Sequence, residues 1–222
     1  MHLTDILGPI MVGPSSSHTA GAVKIGLVAR KLLGEEPVKA EIFLHGSFAL
    51  TGKGHGTDRA LIAGLLGMHA DDLRIPESFA HAKKAGLEFS FSNKEIKNAH
   101  PNTAQIKLTG KTGRTLDIVA ESIGGGRIHV SYIDGIEANF YCEHNTLIVH
   151  NQDVPGHVAA VTTALMQRQI NIATMQLYRS EQGGYAVMIL ECDEPIPADI
   201  EQWLLHIDGI KKITVFNQDE SL

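Results

Sequence analysis

The stretch Thr146-Leu-Ile-Val-His-Asn-Gln-Asp-Val-Pro-Gly156 decides the fold of the C-terminal half of the chain. Its first six residues form a run typical of a strand, and Pro155 fits the first position of a helix because that position needs no backbone N–H donor. The residues on the apolar face of the predicted helix are Val158, Val161, Leu165 and Met166. This half therefore opens with a strand that leads directly into an amphipathic helix.

The alternation of strands and helices continues to the end of the chain. The predicted elements are strand Thr146–Asn151, helix Pro155–Gln169, strands Asn171–Arg179 and Tyr185–Glu191, helix Ala198–Ile207 and strand Lys212–Asn217. This βαββαβ order is that of a ferredoxin-like plait.

Residues 1–143 have a different pattern, rich in glycine and histidine, and predict a separate α+β domain before the plait, which is assigned residues 146–222. Residues 105–140 predict antiparallel strands, with turns at 109–113, 124–126 and 134–135. The join between the two domains is short and is not rich in glycine or proline. We therefore expect two domains held close together rather than a long flexible tether.

The first domain also contains two predicted helices. Apolar residues at helical spacing predict a largely buried helix from Ala22 to Leu33, which Gly34 ends. A strand around Ala40–Leu44 leads into a predicted glycine-rich loop. After this loop, Thr57-Asp58 begins a second helix, which ends at Gly67.

Composition excludes several classes of protein. The formal charge of -6, from 19 Lys and Arg against 25 Asp and Glu, argues against a general nucleic-acid binder, which needs a basic face. No apolar run approaches the roughly 20 residues that cross a bilayer, so no membrane insertion is expected. The start Met1-His-Leu-Thr-Asp5 lacks the basic flank and apolar core of a signal peptide, and a cytoplasmic location is expected.

The chain has two cysteines, Cys142 and Cys192, far apart in the sequence. This number does not indicate a disulfide framework. An all-cysteine iron–sulfur cluster needs about four thiolates, so this chain alone does not supply one. The twelve histidines show no ligand spacing typical of a metal site, and no metal site is expected in this chain.

The first candidate site is Gly13-Pro-Ser-Ser-Ser-His-Thr19, directly before the first predicted helix. Unpaired N–H groups and the positive end of the helix dipole favour a carboxylate or a phosphate there. Serine and threonine also cap helices without any functional role, but three serines followed by His and Thr exceed what a cap requires. No Asp or Glu lies nearby to orient His18, so a Ser/His/Asp triad is not supported. The candidate residues are Ser15, Ser16, Ser17, His18 and Thr19.

The second candidate site is the segment from His45 to Asp58, which reads His-Gly-Ser-Phe-Ala-Leu-Thr-Gly-Lys-Gly-His-Gly-Thr-Asp. Its glycine spacing fits neither a P-loop nor a dinucleotide-binding loop. A tight turn also explains the glycines, and a hydrogen-bonded histidine at a strand end also explains His45. Histidine, lysine and aspartate side chains crowded into one short loop favour an active-site wall. The candidate residues are His45, Ser47, Thr51, Lys53, His55 and Asp58.

Two further segments are weaker candidates. His100-Pro-Asn-Thr103 is typical of a turn. Asp153, Pro155 and Gly156 before the first helix of the plait, with Asn171 at the start of the next strand, suggest an amino-acid pocket in which Asp153 and Asn171 face each other. An ordinary strand–helix turn explains the proline and the glycine equally well.

Taken together, residues 13–19 and 45–58 resemble the signature segments of bacterial iron–sulfur L-serine dehydratases, specifically the β subunit of the two-chain form. The likeness runs essentially from end to end. Residues 146–217 resemble an ACT domain, a small-molecule-sensing plait of amino-acid enzymes. The first half is similar to the substrate-binding regulatory domain of some phosphoglycerate dehydrogenases.

The resemblance implies a lyase that converts L-serine to pyruvate and ammonia with a [4Fe-4S] cluster, whose cysteine ligands belong to a separate α chain. This chain is then expected to be inactive alone and to self-associate through its ACT domain. The resemblance further implies that Asp153, Pro155, Gly156 and Asn171 bind an effector amino acid, such as serine, between protomers.

The candidate residues take roles under this interpretation. Ser15, Ser16, Ser17 and Thr19 hold the substrate carboxylate, and His18, His45 and His55 orient the substrate or transfer protons. Ser47 and Thr51 are counted among the catalytic or substrate-binding residues without a more specific role. Lys53 adds positive charge, and Asp58 anchors its loop or meets the substrate ammonium. The alternatives are a non-catalytic amino-acid sensor, which needs no iron–sulfur partner, and a regulatory fragment of a phosphoglycerate dehydrogenase.

Overall fold

The computed structural model describes residues 11–13 and 15–218, except the side chain of Lys53, and it divides into two compact units. The first unit ends at Asp134, and the second begins at Gly135. The N-terminal pentapeptide that argues against a signal peptide, and Pro14 of the first candidate segment, lie outside the described residues.

The first unit combines helices with a mixed sheet. A π-helical turn at Ser16–Ala20 leads into α1, and a short 3-10 turn at Ile75–Glu77 leads into α4. The helices are α1 (Gly21–Leu33), α2 (Gly46–His55), α3 (Thr57–Leu65) and α4 (Ser78–Ala85). The strands are β1 (Pro37–Leu44), β2 (Glu88–Asn93), β3 (Thr103–Gly110), β4 (Thr115–Gly124) and β5 (Arg127–Ile133).

The strands are hydrogen-bonded in the order β2-β1-β3-β4-β5. β2 runs parallel to β1, and the other neighbours are antiparallel. Ile42 pairs with Ile106, which in turn pairs with Ile118, so these three buried side chains share one face of the sheet. That face packs against α1, while polar side chains alternate on the opposite face.

Two glycines let α1 and α3 cross at backbone contact. A Cβ on Gly26 would lie 2.4 Å from the carbonyl oxygen of Leu61, and a Cβ on Gly64 would lie 2.1 Å from that of Val23. Both distances are far inside van der Waals contact, so a side chain at either position forces the helices apart. α1 begins at the first candidate segment and α3 follows the second, so this crossing helps to position both.

The structure confirms most predictions for the first unit and corrects one. Gly34 ends α1 with φ 80°, and α3 begins at Thr57 as predicted. The segment predicted as a glycine-rich loop is instead the helix α2. Buried Phe48 anchors this helix, and Gly52 lies 3.3 Å, measured from an ideal Cβ, from the Cβ of Thr57. The glycine therefore allows close packing of α2 on the start of α3 rather than a turn.

The second unit contains the predicted plait. Its elements are β6 (Ile136–Phe140), β7 (Asn145–Gln152), α5 (His157–Gln167), β8 (Ile172–Arg179), β9 (Tyr185–Cys192), α6 (Asp199–Leu205) and β10 (Ile210–Phe216). The antiparallel order β10-β7-β9-β8 and the βαββαβ sequence from β7 onward confirm a ferredoxin-like domain. β6 precedes the plait and packs on β8 and β9.

The core of the plait explains why its pattern was readable from the sequence. Alternate residues of the central strands face the helices, among them Leu147, Val149, Met188 and Leu190. They meet the apolar faces of α5 and α6, which include Val161, Leu165, Ile200 and Leu204. Period-two strands packed against period-3.6 helices give a strong sequence signal. Within the described residues, no helix is both long and apolar enough to span a membrane.

The substitution Gly64→Ala should destabilise the chain by about 2–4 kcal/mol, because the added methyl group collides with backbone atoms of α1. Gly54→Ala in α2 is the matched control, since nothing lies within 4 Å of its ideal Cβ, and it should be neutral or stabilising by up to about 1 kcal/mol. Urea unfolding curves give both values. Equal unfolding midpoints for the two variants would contradict the close crossing of α1 and α3.

Candidate active site

The first candidate segment forms a tight turn at the start of α1. Ser15 has an extended backbone (φ -143°, ψ 124°), and its hydroxyl accepts the backbone N–H of His18 at 3.2 Å. The backbone carbonyl of Ser15 accepts the N–H of Thr19 at 2.8 Å, and Ser16 accepts that of Gly21. Ser15 is thus the cap of the turn. Ser16 and Ser17 stay half-buried at its surface.

The second candidate segment places two hydroxyl groups against His18. His18 Nε2 lies 3.2 Å from Ser47 Oγ and 3.1 Å from Thr51 Oγ1. Both residues belong to α2, one helical turn apart, and their hydroxyl oxygens are 3.3 Å from each other. His18, Ser15, Ser47 and Thr51 therefore form one connected set, which we call the hydroxyl cage. The two candidate segments meet here.

Hydrogen bonding within the hydroxyl cage fixes the tautomer of His18. Thr51 donates its hydroxyl hydrogen to the carbonyl oxygen of Ser47 at 2.9 Å, so Thr51 Oγ1 is an acceptor toward the imidazole. The hydrogen of neutral His18 then lies on Nε2. Its Nδ1 carries the lone pair, which faces Ser15 Oγ at 3.4 Å. The ring is thereby held in one orientation.

A second histidine, His55, stands beside the hydroxyl cage. The ring centroids of His18 and His55 are 4.9 Å apart. His55 Nδ1 donates to the carbonyl oxygen of Thr51 at 3.2 Å, so the lone pair of the neutral ring lies on Nε2, on an exposed residue. This is a geometry in which His55 can accept a proton from a bound molecule.

The pKa of His18 lies below its ordinary value. Partial burial is the main cause, and the neighbouring His55 adds to the effect, because a positive charge on His55 disfavours a second one on His18. A hydrogen bond with the backbone of Ser47 acts in the opposite direction and raises the pKa. The lowered pKa favours the neutral form of His18, which is suited to hydrogen bonding rather than to charge pairing.

His45 takes a different position from the other two histidines. It is the residue before α2, and its Nδ1 accepts the backbone N–H of Ile96 at 3.1 Å. That bond agrees with one of the two explanations of His45 that the sequence allowed, a hydrogen-bonded histidine at the end of a strand. Since Nδ1 is occupied, Nε2 is the remaining nitrogen for any contact with a substrate.

The segment 100–103 forms the predicted turn and supports the start of α2. The carbonyl oxygen of Pro101 accepts the backbone N–H of Ser47 at 2.7 Å. A Cβ on Gly46, which has φ 53°, would lie 2.6 Å from that same oxygen. A glycine is therefore required at position 46 for this close approach.

A cavity of about 520 Å³ is lined by residues of both candidate segments. Its wall includes Thr19, His55, Asp58 and Arg59. The hydroxyl of Thr19 is buried against Gly13, and it has no hydrogen-bond partner among the described residues. Asp58 accepts the backbone N–H of Arg59 at 2.8 Å, which anchors the start of α3 as one of its two predicted roles requires.

Several residues near the candidate site were not predicted from the sequence. Phe48 packs edge-on against His18, with ring centroids 5.3 Å apart. Arg59 lines the cavity, where its guanidinium donates to the carbonyl oxygen of Pro76 at 2.9 Å. Ser122 on β4 is fully buried against Gly21. Each of these residues fits the alternation of apolar and polar residues in its own helix or strand. That alternation does not indicate that the residue lies near the candidate site.

The predicted effector residues do not meet within one chain. Asp153 follows the end of β7 that pairs with Tyr185, whereas Asn171 precedes the end of β8 that pairs with Cys192. These are opposite ends of β9, so the expectation that Asp153 and Asn171 face each other is wrong for a single chain. A ligand that touches both requires a second copy to supply one of them.

Two of the predicted effector residues, Asp153 and Asn171, already have hydrogen-bond partners within the chain. Asp153 Oδ2 accepts Arg179 Nη1 at 2.8 Å and the backbone N–H of Gly183 at 3.1 Å, and these bonds lower the pKa of its carboxyl group. Asn171 Nδ2 donates to Asp193 Oδ2 at 2.7 Å. Gly156 has φ 100° at the start of α5, a conformation that favours glycine.

The described residues do not provide a ligand set for an iron–sulfur cluster. Among them, no group of three or more His, Cys, Asp or Glu side chains is placed to hold a metal ion. Cys142 and Cys192 are both buried in the second unit. Burial and three neighbouring carboxylates raise the pKa of the Cys192 thiol to about 11, so it stays a thiol rather than the thiolate that a metal requires.

Two family models match the chain. The model for the serine dehydratase beta chain matches residues 3–132, and the model for the ACT domain matches residues 145–202. The chain is 40% identical to the probable L-serine dehydratase, beta chain, of Bacillus subtilis (strain 168), over 95% of each protein. It is 38% identical to the L-serine dehydratase, beta chain, of Peptoniphilus asaccharolyticus, over 95% of this chain and 94% of that protein.

A likeness to a different enzyme covers a smaller share of that enzyme. The chain is 27% identical to the D-3-phosphoglycerate dehydrogenase of Bacillus subtilis (strain 168), over 88% of this chain but 37% of the dehydrogenase. The likeness to the beta chains, by contrast, extends over nearly the whole of both proteins.

Replacing His55 with glutamine should raise the pKa of His18, because the substitution removes the neighbouring group whose positive charge disfavours protonation. The His18 value should stay below the ordinary one, since its burial persists. Titration of the imidazole signals by NMR gives the shift. His206→Gln in the second unit is the control and should leave His18 unchanged. An unaltered His18 titration in His55→Gln would contradict the pairing of the two rings.

Proposed function

The chain belongs to the serine dehydratase beta chain family and is a beta subunit of L-serine dehydratase; we propose that it binds L-serine with residues 15–19 and 45–58 and completes the enzyme together with a partner α chain that holds a [4Fe-4S] cluster. One observation carries the proposal for this chain's own role. His18 and His55 stand side by side where the two segments meet, and His55 lines a cavity of about 520 Å³ together with Thr19 and Asp58.

The reaction needs proton transfer and the loss of a poor leaving group. A base removes the α-proton of L-serine, the β-hydroxyl departs as water, and the resulting enamine hydrolyses to pyruvate and ammonia. The cluster of the partner chain would supply an electrophile for the departing hydroxyl. The described residues of this chain include cationic, hydroxyl and imidazole groups, which suit binding and proton handling.

The start of α1 provides the proposed seat for the substrate carboxylate. Ser16 and Ser17 are half-buried in the first turn, where helical N–H groups lack intrahelical partners. Ser15 is occupied by the cap and by His18, so it shapes the turn rather than binding directly. The unpartnered hydroxyl of Thr19 lies just behind. Hydroxyl and N–H donors are complementary to a carboxylate.

The two histidines have different proposed roles. His55 Nε2 is exposed and has its lone pair available, which suits it to accept a proton from the substrate. His18 is held by the hydroxyl cage, so it positions the hydroxyl groups of Ser47 and Thr51 and keeps the pair from carrying two charges. Asp58 at the cavity wall is the available anion for the substrate ammonium.

We also propose that the plait binds an amino-acid effector between two copies of the chain. β8 is an edge strand, and its Met175 and Leu177 are 37% and 44% exposed on the face that Leu190 and Met188 share with the helices. Antiparallel pairing of two β8 edges would bring Asn171 of one copy toward the Arg179 end of the other. Asp153 is bound to Arg179, so both effector residues would then line one pocket.

A cytoplasmic location is part of the proposal. The chain has two cysteines, Cys142 and Cys192, and both are buried, which fits a compartment that keeps thiols reduced. A sensor without catalytic duty would share the plait but would not need the two histidines beside a cavity.

In the complex reconstituted anaerobically with the α chain, His55→Ala should lower kcat/KM for L-serine by about 10²–10⁴, the usual contribution of a general base. Ser16→Ala should mainly raise KM, because it removes a carboxylate donor. Pyruvate formation is the readout, and His206→Ala in α6's C-terminal turn is the control. Wild-type kcat/KM for both His55→Ala and Ser16→Ala would exclude the proposed site, and a wild-type complex without activity would exclude the function.

Amino-acid binding to the full chain should be lost in Asn171→Ala and in Asp153→Ala, because each removes one side of the proposed pocket. Isothermal titration with L-serine measures the loss. Asp199→Ala is a matched control. Asp199 forms a comparable ion pair with Arg168, with 2.6 Å between Oδ2 and Nη2, and neither residue belongs to β8. Unchanged binding in both effector variants, or no binding of any amino acid by the wild-type chain, would rule out this effector site.

A further inference from the structure

Strand β2 is an unprotected edge of the first sheet. It is hydrogen-bonded to β1 on one side, and no described strand lies on the other. Edge strands are usually blunted by proline, by a bulge or by an inward charge. β2 reads Glu-Phe-Ser-Phe-Ser-Asn from Glu88 to Asn93, and its register with β1 is continuous. The strand is therefore suited to accept another strand.

The hydrogen bonds to β1 determine which residues of β2 point outward. Lys94 donates its backbone N–H to the carbonyl oxygen of Leu44 at 2.9 Å. The backbone N–H and C=O groups of successive residues point alternately to the two sides of a strand, so the backbone groups of the even-numbered residues point toward β1. The groups of Phe89, Phe91 and Asn93 then point outward.

This phase restricts how β2 can pair with a second copy of itself. An antiparallel two-fold pair centred on Phe91 places outward-facing residues opposite each other, Phe91 with Phe91 and Phe89 with Asn93. A centre between two residues would instead place outward-facing groups opposite groups already bound to β1. Centres on Ser90 and on Phe91 both satisfy the phase and give the same overlap within the strand, so the charges at its ends decide between them.

The register centred on Phe91 is complementary in charge. It places Glu88 of each copy directly opposite Lys94 of the other, and the two ion pairs are related by the two-fold axis. Glu88 lies opposite Lys39 in the register of β2 with β1, and Lys94 lies over the ring of Phe43. Both charges therefore belong to the polar face of the sheet. Opposite charges in cross-strand positions stabilise a pair, and like charges destabilise it. The charge pattern of β2 is thus complementary to itself.

The other face of β2 has apolar surface to bury. Phe89 and Phe91 are half-buried against Phe79 of α4, with centroid distances of 4.9 and 6.2 Å. A cavity of about 560 Å³ continues from Phe79 and Phe91 to Leu44 and Phe48. In the two-fold pair, Phe91 of the second copy would stand at the mouth of this cavity.

We propose that two copies of this chain associate through antiparallel β2 strands about Phe91, joining their first sheets into one. The occupant of the edge is a second copy, because hydrogen-bond phase and charge pattern are both self-complementary. The association does not depend on the proposed catalytic role, and it uses a different surface from the β8 edge of the plait.

Charge exchange tests the pairing on the full chain. Glu88→Lys places Lys opposite Lys94 twice, and Lys94→Glu places Glu opposite Glu88 twice, so each variant should weaken the association roughly tenfold or more. An equimolar mixture of the two variants restores both opposite-charge pairs and should associate again. Sedimentation equilibrium should show half the wild-type mass for each variant alone at one concentration, and the wild-type mass for the mixture.

Glu201→Lys, an exposed charge change in α6, is the control and should keep the wild-type mass. Circular dichroism establishes that the variants are folded. If the plait also self-associates, each single variant stops at the dimer linked through the plait, whereas the wild type and the mixture form larger assemblies. Single variants with the wild-type mass, a mixture that fails to reassociate, or a wild-type chain that is monomeric would each overturn the proposal.

Discussion

The close crossing of α1 and α3 is the constraint on which the first unit depends. Gly26 and Gly64 allow backbone contact between the two helices, with no space for a methyl group at either position. α1 extends directly from the turn that contains His18, and α3 follows α2 after a single residue. A close crossing of buried helices therefore helps to position the two candidate segments. These segments carry the proposed site, and the glycine contact helps to set their separation.

In the proposed site next to this crossing, His18 is hydrogen-bonded by uncharged groups. His18 is held in its neutral form by partial burial and by the nearby His55, and hydroxyl groups rather than carboxylates surround it. A carboxylate in the same place would favour the imidazolium and would repel an anionic substrate. Hydroxyl groups orient the ring without doing either, which suits a site proposed to bind the carboxylate of an amino acid.

The sequence was informative where periodicity or spacing carried the structure. The plait was predictable because its strands and helices each bury one regular face, and α1 because apolar residues cover most of its surface. α2 was not predicted, since its glycine-rich sequence is typical of a loop, whereas Gly52 allows helix packing. The contact between His18 and Thr51 spans 33 positions, and such a contact depends on the tertiary arrangement of α1 and α2.

The predicted effector residues also show what could not be predicted from the sequence. Asp153 and Asn171 both follow local patterns that the sequence displays, but strand direction separates them within one chain. β7 and β8 run parallel on either side of β9, so the end of one lies far from the start of the other. Only antiparallel pairing with a second copy reverses that separation, because it aligns the end of β8 in one chain with its start in the other. The proposed two-fold pairing would bring the two residues together, and the Asp153–Arg179 ion pair holds the carboxylate near the end of β8 that such pairing would use.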